Sequence, residues 1–598
     1  MRQVAIVLVL FMAISGCSFF SSQKEKTAPE KAIAHMLIMQ TDSFLAAKNK
    51  LLTAVSNNVD ENQLQQLFLQ TRLAYKKIEW AAEYFDPATS RLVNGAPVPE
   101  VEVIGNQVFD PAGLQVIEAL LFPRYNVASG KKELLRQLNL LQGSCDNYKS
   151  YFNNIDILDG QVFDAAKLEV FRILTLGITG FDNPLTQKSM TESATALKSL
   201  QDVMAHYDSQ QESADLRLRL TAAISYLKQN TNFNSFDRAR FITGYGNAIS
   251  TSITILEKKL KIHTIKYNRL LRQEASTLFD KDAFNANAYE PVEPGLETDK
   301  KIALGKKLFA DPILSGTNIR SCASCHRPDK AFADGLVKNT VINSKAPLRR
   351  NTPTLLNAAL QPAQFYDLRA NTLEEQVSDV VQNRDEMHGS MTIAVNRLWR
   401  NKEYRQMFTA AFPMSKRTGI DTSEVMNAIG SFVRSLTMLN SRFDEYMRGN
   451  KTAMNQEEIN GFNLFMGKAK CATCHYMPLF NGTFPPRYVK METEVIGVPS
   501  SKTNTAIDQD LGRYDIVPLE FYKHAFKTVT VRNAARNAPY MHNGVFATLD
   551  EVMDFYNKGG GAGLGIKVNN QTLPLEQLHL TATETKAVIA FIKSLDSR

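Results

Sequence analysis

Four of the six cysteines in this chain fall in two CxxCH pentapeptides, Cys322-Ala-Ser-Cys325-His326 and Cys471-Ala-Thr-Cys474-His475. Two thiols at this spacing can add across the vinyl groups of a haem, and the adjacent imidazole is then placed to bind its iron. One such motif could equally be a redox dithiol with a chance histidine, or half of a zinc site. Two copies make a pair of covalently bound c-type haems the expectation. His326 is then the expected protein ligand of one iron and His475 of the other.

The other two cysteines differ in kind. Arg2 precedes an apolar stretch, Val4 to Ile14, too short to span a bilayer but of the length of a signal core. It ends in Ile14-Ser15-Gly16-Cys17, which resembles a bacterial lipoprotein processing site, so residues 1–17 read as a signal peptide with lipidated Cys17. Residues 18–30 are mostly polar and read as a tether. The expected location is the periplasm, with a lipid anchor in the bacterial (outer) membrane. Haem attachment outside the cytoplasm agrees with this. Cys145 has no partner left and is expected as a buried, inert thiol.

At 598 residues the chain exceeds one ordinary core. A 44% hydrophobic and 22% charged composition suits a globular protein. The net charge of +8 comes without a basic run, which argues against nucleic acid and leaves an acidic protein partner open. The expected fold is mainly α. Residues 31–270 carry helical periodicity, as in Leu64, Leu67, Leu73 and Ile78, and in Leu197, Leu200, Val203 and Met204, and read as a helical bundle. Pro291 and Pro294 mark 271–298 as a linker. Two cytochrome c-like haem lobes follow, 299–450 and 451–598. Their landmarks repeat: Gly305-x-x-Leu308-Phe309 with Gly461-x-x-Leu464-Phe465, and Asn357-Ala-Ala with Asn533-Ala-Ala. Fifteen residues after each asparagine stand Thr372-Leu-Glu-Glu375 and Thr548-Leu-Asp-Glu551, two expected capping boxes. An internal duplication is the expectation.

Residues 299–598 resemble the bacterial di-haem cytochrome c peroxidases, and within them the MauG-like branch. The landmarks are Leu304-Gly-Lys-Lys-Leu-Phe-Ala-Asp-Pro312, Arg350-Asn-Thr-Pro353, Phe365-Tyr-Asp-Leu-Arg369, Leu373-Glu-Glu-Gln376, Glu386-Met387 and Ala538-Pro-Tyr-Met-His-Asn-Gly544. The resemblance implies that the first haem, on His326, meets hydrogen peroxide. It places Glu386 as the carboxylate that moves a proton between the peroxide oxygens, Gln376 as a hydrogen-bonding partner of peroxide, and Tyr366 where the family carries a tryptophan relay between haems. No histidine separates His326 from His388, so the first iron is expected to keep its sixth position open, with His388 a solvated loop residue.

For the second haem the resemblance places Tyr556 at the sixth-ligand position, fourteen residues after His542, with Met553 as the competing ligand. It also implies a calcium ion held by Asn351 and the carbonyls of Asn537 and Pro539. Electrons are expected through the second haem from a small cytochrome, a cupredoxin or another protein. Oxidation of residues in a partner protein, as in MauG, is an alternative. A non-enzymatic electron-transfer or iron-uptake lipoprotein is another. In the N-terminal half, Asp110-Pro-Ala-Gly113-Leu-Gln115-Val-Ile-Glu118 weakly resembles the GxHxxE motif of imelysin-like domains, with Gln115 in place of the histidine. The oligomeric state is left open.

Overall fold

The computed structural model describes residues 28–101, 108–207, 213–291, 297–414, 418–503 and 506–598. The signal segment, Cys17 and nearly all of the tether lie outside the described residues. The helical bundle begins with α1 (Pro29–Ser56) and α2 (Glu61–Tyr75). Pro29 starts α1 where its missing N–H costs nothing, and the Asp60 carboxylate caps α2 by accepting the Gln63 N–H at 3.1 Å. Then come α3 (Glu79–Phe85), α4 (Pro87–Asn94), a minimal antiparallel pair β1 (Glu100–Val101) with β2 (Val108–Phe109), α5 (Leu114–Leu121), α6 (Val127–Asn154) and α7 (Asp159–Thr175). The bundle ends with α8 (Ser189–Met204), α9 (Ala214–Gln229), α10 (Arg238–Phe241) and α11 (Asn247–Lys259). Helix α1 buries Ile33, Leu37, Phe44 and Leu51 from one face, against α2 and α6. Ile78, expected on α2, lies beyond its end and leads into α3.

The first haem lobe contains α12 (Asp299–Ala310), α13 (Leu373–Gln382), α14 (Met391–Arg400), α15 (Lys402–Ala411) and α16 (Thr422–Ser435). The second contains α17 (Arg442–Met447), α18 (Gln456–Phe465), β3 (Thr493–Glu494) paired with β4 (Phe526–Lys527), α19 (Leu549–Asn557), α20 (Gly560–Gly563) and α21 (Ala582–Ser594). The lobes repeat one crossing. Helix α12 packs on α16 and α18 on α21. A Cβ at Gly305 would stand 1.8 Å from the Ala428 carbonyl oxygen, and one at Gly461 would stand 1.9 Å from that of Ala587. Only glycine allows backbones this close.

The linker expectation meets a difference. Residues 271–291 contain no regular helix, yet Leu271, Leu278, Phe279 and Phe284 are buried. They belong to one continuous apolar core that runs from Ile33 through Phe443, Phe480 and Phe591. The helical bundle and the second lobe therefore share a core, while the first lobe has its own. Sequence periodicity locates apolar faces without saying which partner covers them, so the shared core was not legible.

Candidate functional site

The first CxxCH sits on a single 3-10 turn, Cys322–Ser324, whose carbonyl at Cys322 accepts the backbone N–H groups of Cys325 (3.2 Å) and His326 (2.9 Å). His326 Nδ1 lies 2.9 Å from the Phe332 carbonyl, so Nδ1 carries the proton and Nε2 remains for iron. Burial lowers the imidazole pKa, which keeps it neutral and able to ligate. Burial pushes the Cys322 thiol up to about 12 and the Cys325 thiol up to about 11. The second motif repeats the turn at Cys471–Thr473. His475 is lowered to about 4 by burial, which keeps it neutral and able to ligate. The two donor sets fit two c-type haems.

Glu386 reaches the first motif from a different segment. Its carboxyl acts electrostatically on both Cys322 and Cys325. Desolvation raises its own pKa, Arg369 and Arg320 oppose that rise, and so does a 2.8 Å hydrogen bond from Asn383 Nδ2 to Oε1. Asn383 ends α13 and also accepts the Asp385 N–H on its own Oδ1 at 3.0 Å. Arg320 donates to the Glu386 carbonyl at 3.1 Å. The loop carrying Glu386 is backed by glycines: a Cβ at Gly316 would stand 1.9 Å from the His388 carbonyl oxygen, and one at Gly389 would stand 2.2 Å from that of Leu314. His388 is exposed on this loop, with φ of 48°. Gln376 is half-buried on α13. The roles of Asn383, Arg320 and Arg369 were not legible, because nothing in their spacing points at a carboxyl closed off by a loop.

Tyr366 lies at the seam of the lobes. Its carbonyl accepts the Lys527 N–H at 2.7 Å, and burial raises its phenol far above the ordinary value, opposed by Arg350. Arg350 bridges the lobes, donating to Asp510 (2.7 and 2.9 Å) and to Asp367 (2.6 Å). Tyr556 on α19 is half-buried, and its phenol is raised by burial and by the nearby Cys474, Cys471 and Glu494. Met553 on the same helix is buried in the apolar core. Asn351 accepts nothing through its amide nitrogen: Nδ2 donates to the Leu336 (2.8 Å) and Val337 (3.3 Å) carbonyls, and its backbone N–H donates to His542 O at 2.7 Å. Asn537 Oδ1 is buried without a partner.

A family model described as di-haem cytochrome c peroxidase matches residues 299–452. The methylamine utilization protein MauG of Methylorubrum extorquens is 34% identical over 300 residues, which is 50% of this chain and 78% of that protein. The chain belongs to the di-haem cytochrome c peroxidase and MauG family. The cytochrome c551 peroxidase of Nitrosomonas europaea is 32% identical over 315 residues, covering 52% of this chain and 84% of its own length. A solved MauG-like protein associated with microbial copper homeostasis matches with a TM-score of 0.45 and 29% identity, over 50% of this chain and 90% of that one. As a member of the family the chain is a peroxidase-like oxidoreductase whose cofactors are two haem c groups.

In the imelysin-like motif Gln115 and Glu118 are buried, and Glu118 Oε2 has no hydrogen-bond partner among the described residues. Gln115 Nε2 donates to the Asn94 carbonyl at 3.2 Å, and Glu118 Oε1 accepts the Thr186 N–H (2.9 Å) and hydroxyl (2.6 Å). Around it, Arg72 pairs with Glu192, and Lys76 and Arg172 with Asp182 and Glu79. No group of three or more His, Cys, Asp or Glu side chains suited to a metal ion occurs among the described residues. Cys145 is fully buried and its thiol is pushed up to about 12 by burial, the inert group expected.

Proposed function

We propose that this chain reduces hydrogen peroxide at the first-lobe haem, with electrons arriving through the second haem from a protein donor. The observation that carries this reading is the Glu386 carboxyl, drawn from α13's following loop to the thiols of the first motif. The bound haem supplies the electrons and the site at which the O–O bond breaks. The protein supplies the proton path: Glu386 takes the proton from one peroxide oxygen and returns it to the other, so that water can leave. Asn383 occupies Oε1, which leaves Oε2 for the substrate. Two electrons and two further protons complete the reduction of one peroxide to two waters.

Rapid mixing of the fully oxidised, haem-loaded protein with peroxide tests the assignment. Glu386→Gln is expected to lose at least about 100-fold in peroxide turnover with both haems still attached. Unchanged turnover would remove Glu386 from the reaction, and no turnover in the parent protein would favour a plain electron carrier.

The second reading, oxidation of residues in a partner protein, is favoured by Tyr556. If Tyr556 held the second haem's iron, its phenolate would stabilise the oxidised form. The nearness of Tyr556 to both Cys471 and Cys474, with Met553 committed to the core, supports that ligand. Mass spectrometry of candidate partners after peroxide treatment separates the readings, since simple donors return unmodified.

We also propose a calcium ion between the lobes on Asn351 and the carbonyls of Asn537 and Pro539, supported by the partnerless Asn537 Oδ1 beside that backbone. Chelation is expected to loosen the lobes and slow turnover. Export with a lipid anchor at Cys17 is likewise our proposal, tested by acyl-chain labelling of the Cys17→Ala variant. No helix among the described residues is long and apolar enough to cross a membrane.

A further inference from the structure

The helical bundle grips the attachment segment of the second haem at both ends. Phe181 packs edge-on against Tyr476, the residue after His475, with ring centroids 6.1 Å apart. At the other end stands Arg238, at the start of α10, with no exposed surface. Its guanidinium lies flat against Gly467, four residues before Cys471: a Cβ at Gly467 would stand 2.5 Å from Nη1, 2.6 Å from Cζ and 2.8 Å from Nη2. The 467–470 turn closes with the Lys470 N–H on the Gly467 carbonyl at 2.8 Å and runs directly into the haem cysteines. The neighbouring backbone is tied to the bundle as well, the Ala239 N–H donating to Asn463 Oδ1 and Asn463 Nδ2 to Asp237 Oδ1, both at 3.0 Å.

Among the described residues Arg238 has no carboxylate within ion-pair distance. It donates only to carbonyls: Nε to Ile178 (2.9 Å), Nη1 to Phe236 (3.2 Å) and Nη2 to Phe233 (2.9 Å), with the Phe233 and Phe236 rings around it. Neutral acceptors satisfy the hydrogen bonds and leave the charge uncancelled. Burial lowers its pKa to about 9, opposed by Asp237, so it is still a cation at neutral pH. An uncompensated buried charge is costly to a fold, and its field reaches far in a low-dielectric interior.

We propose that Arg238 is a positioning and tuning residue for the second haem, a fixed cation lent by the helical bundle that favours one-electron reduction of the ferric iron that His475 would ligate, in the haem attached through Cys471 and Cys474. Adding an electron beside a buried positive charge is favoured, so the cation raises the ferric/ferrous potential. The inference rests on haem attachment alone and stands whether or not Glu386 serves peroxide.

Potentiometric titration of the haem-loaded full chain, run from about pH 7 down to about pH 5 so that even a deeply buried lysine is protonated at the acid end, provides the test. Arg238→Gln is expected to lower one of the two haem potentials and leave the other in place. Arg238→Lys, which restores the charge but not the fork of hydrogen bonds, is expected to return that potential toward the parent value. Asp237→Asn removes the carboxylate that acts electrostatically on Arg238 from outside ion-pair distance and is expected to shift the same potential upward, which keeps the test open if Arg238→Gln fails to fold. The inference is overturned if Arg238→Gln or Asp237→Asn leaves both potentials in place. It is equally overturned if Arg238→Lys falls as far as Arg238→Gln, since packing rather than charge would then set the value.

Discussion

The Glu386 carboxyl is held in a balance of opposing effects that would set when it acts in the role proposed for it. Desolvation raises its pKa, while the Asn383 hydrogen bond and the two arginines lower it. Below that raised value the carboxyl is neutral and accepts no proton, so the acid limb of the kcat/KM profile belongs above the ordinary carboxylate value of about 4.3. Asn383→Leu removes a donor to the charged form and is expected to move that limb to higher pH; a limb that stays put or moves down contradicts the role of Asn383. The same shift has a sign for stability. A carboxyl whose folded pKa is raised costs stability as pH climbs from the unfolded to the folded value. Glu386→Gln removes that cost, so at neutral pH the inactive variant is expected to melt no lower than its parent. At this scale the sequence was most informative: thiol spacing and a carboxylate position were readable one residue at a time. Asn383 and Arg238 were not, because their meaning lies in what a loop or a second domain places beside them.

At the level of helices, the lobes depend on two glycine crossings and two threonine caps. Gly305→Ala and Gly461→Ala each force a methyl group into a backbone carbonyl. Each is expected to cost about 1–3 kcal/mol, read as a lower unfolding midpoint, with the Gly305 change felt in the first lobe and the Gly461 change in the second. An unchanged midpoint would mean that the helices can part without penalty. The capping boxes show how far local patterns reach. Thr548 Oγ1 accepts the Glu551 N–H at 3.2 Å while Glu551 Oε2 accepts the Thr548 N–H at 3.3 Å, the reciprocal pair expected from the sequence. At Thr372 the hydroxyl accepts the Glu375 N–H at 3.1 Å and Glu375 Oε2 takes only the Asn371 N–H at 2.7 Å, whereas Glu551 Oε2 takes the Ala547 N–H at 2.6 Å as well as that of Thr548. The helix start was legible and the choice between two adjacent donors was not, since both lie within reach of one carboxylate.

Over the whole molecule, the continuous core from Ile33 to Phe591 makes the bundle and the second lobe one cooperative body, with the first lobe joined to it through Arg350, Asp510 and Asp367. Calorimetry is expected to show bundle and second lobe unfolding together; a separate early transition for the bundle would contradict a shared core. Composition led to an expectation of several domains, and helical periodicity to one of helices over 31–270, where helices are found. Neither could show that the linker is packed or that the bundle seats on a haem segment, because both are contacts between distant parts of the chain. The account as a whole depends on two irons in unequal surroundings, one open to peroxide beside Glu386 and one closed by protein on both sides. Low-temperature electron paramagnetic resonance of the resting, fully oxidised protein measures that inequality directly. The expected spectrum holds one high-spin and one low-spin ferric haem in equal amounts. Two low-spin signals with no high-spin component would contradict it.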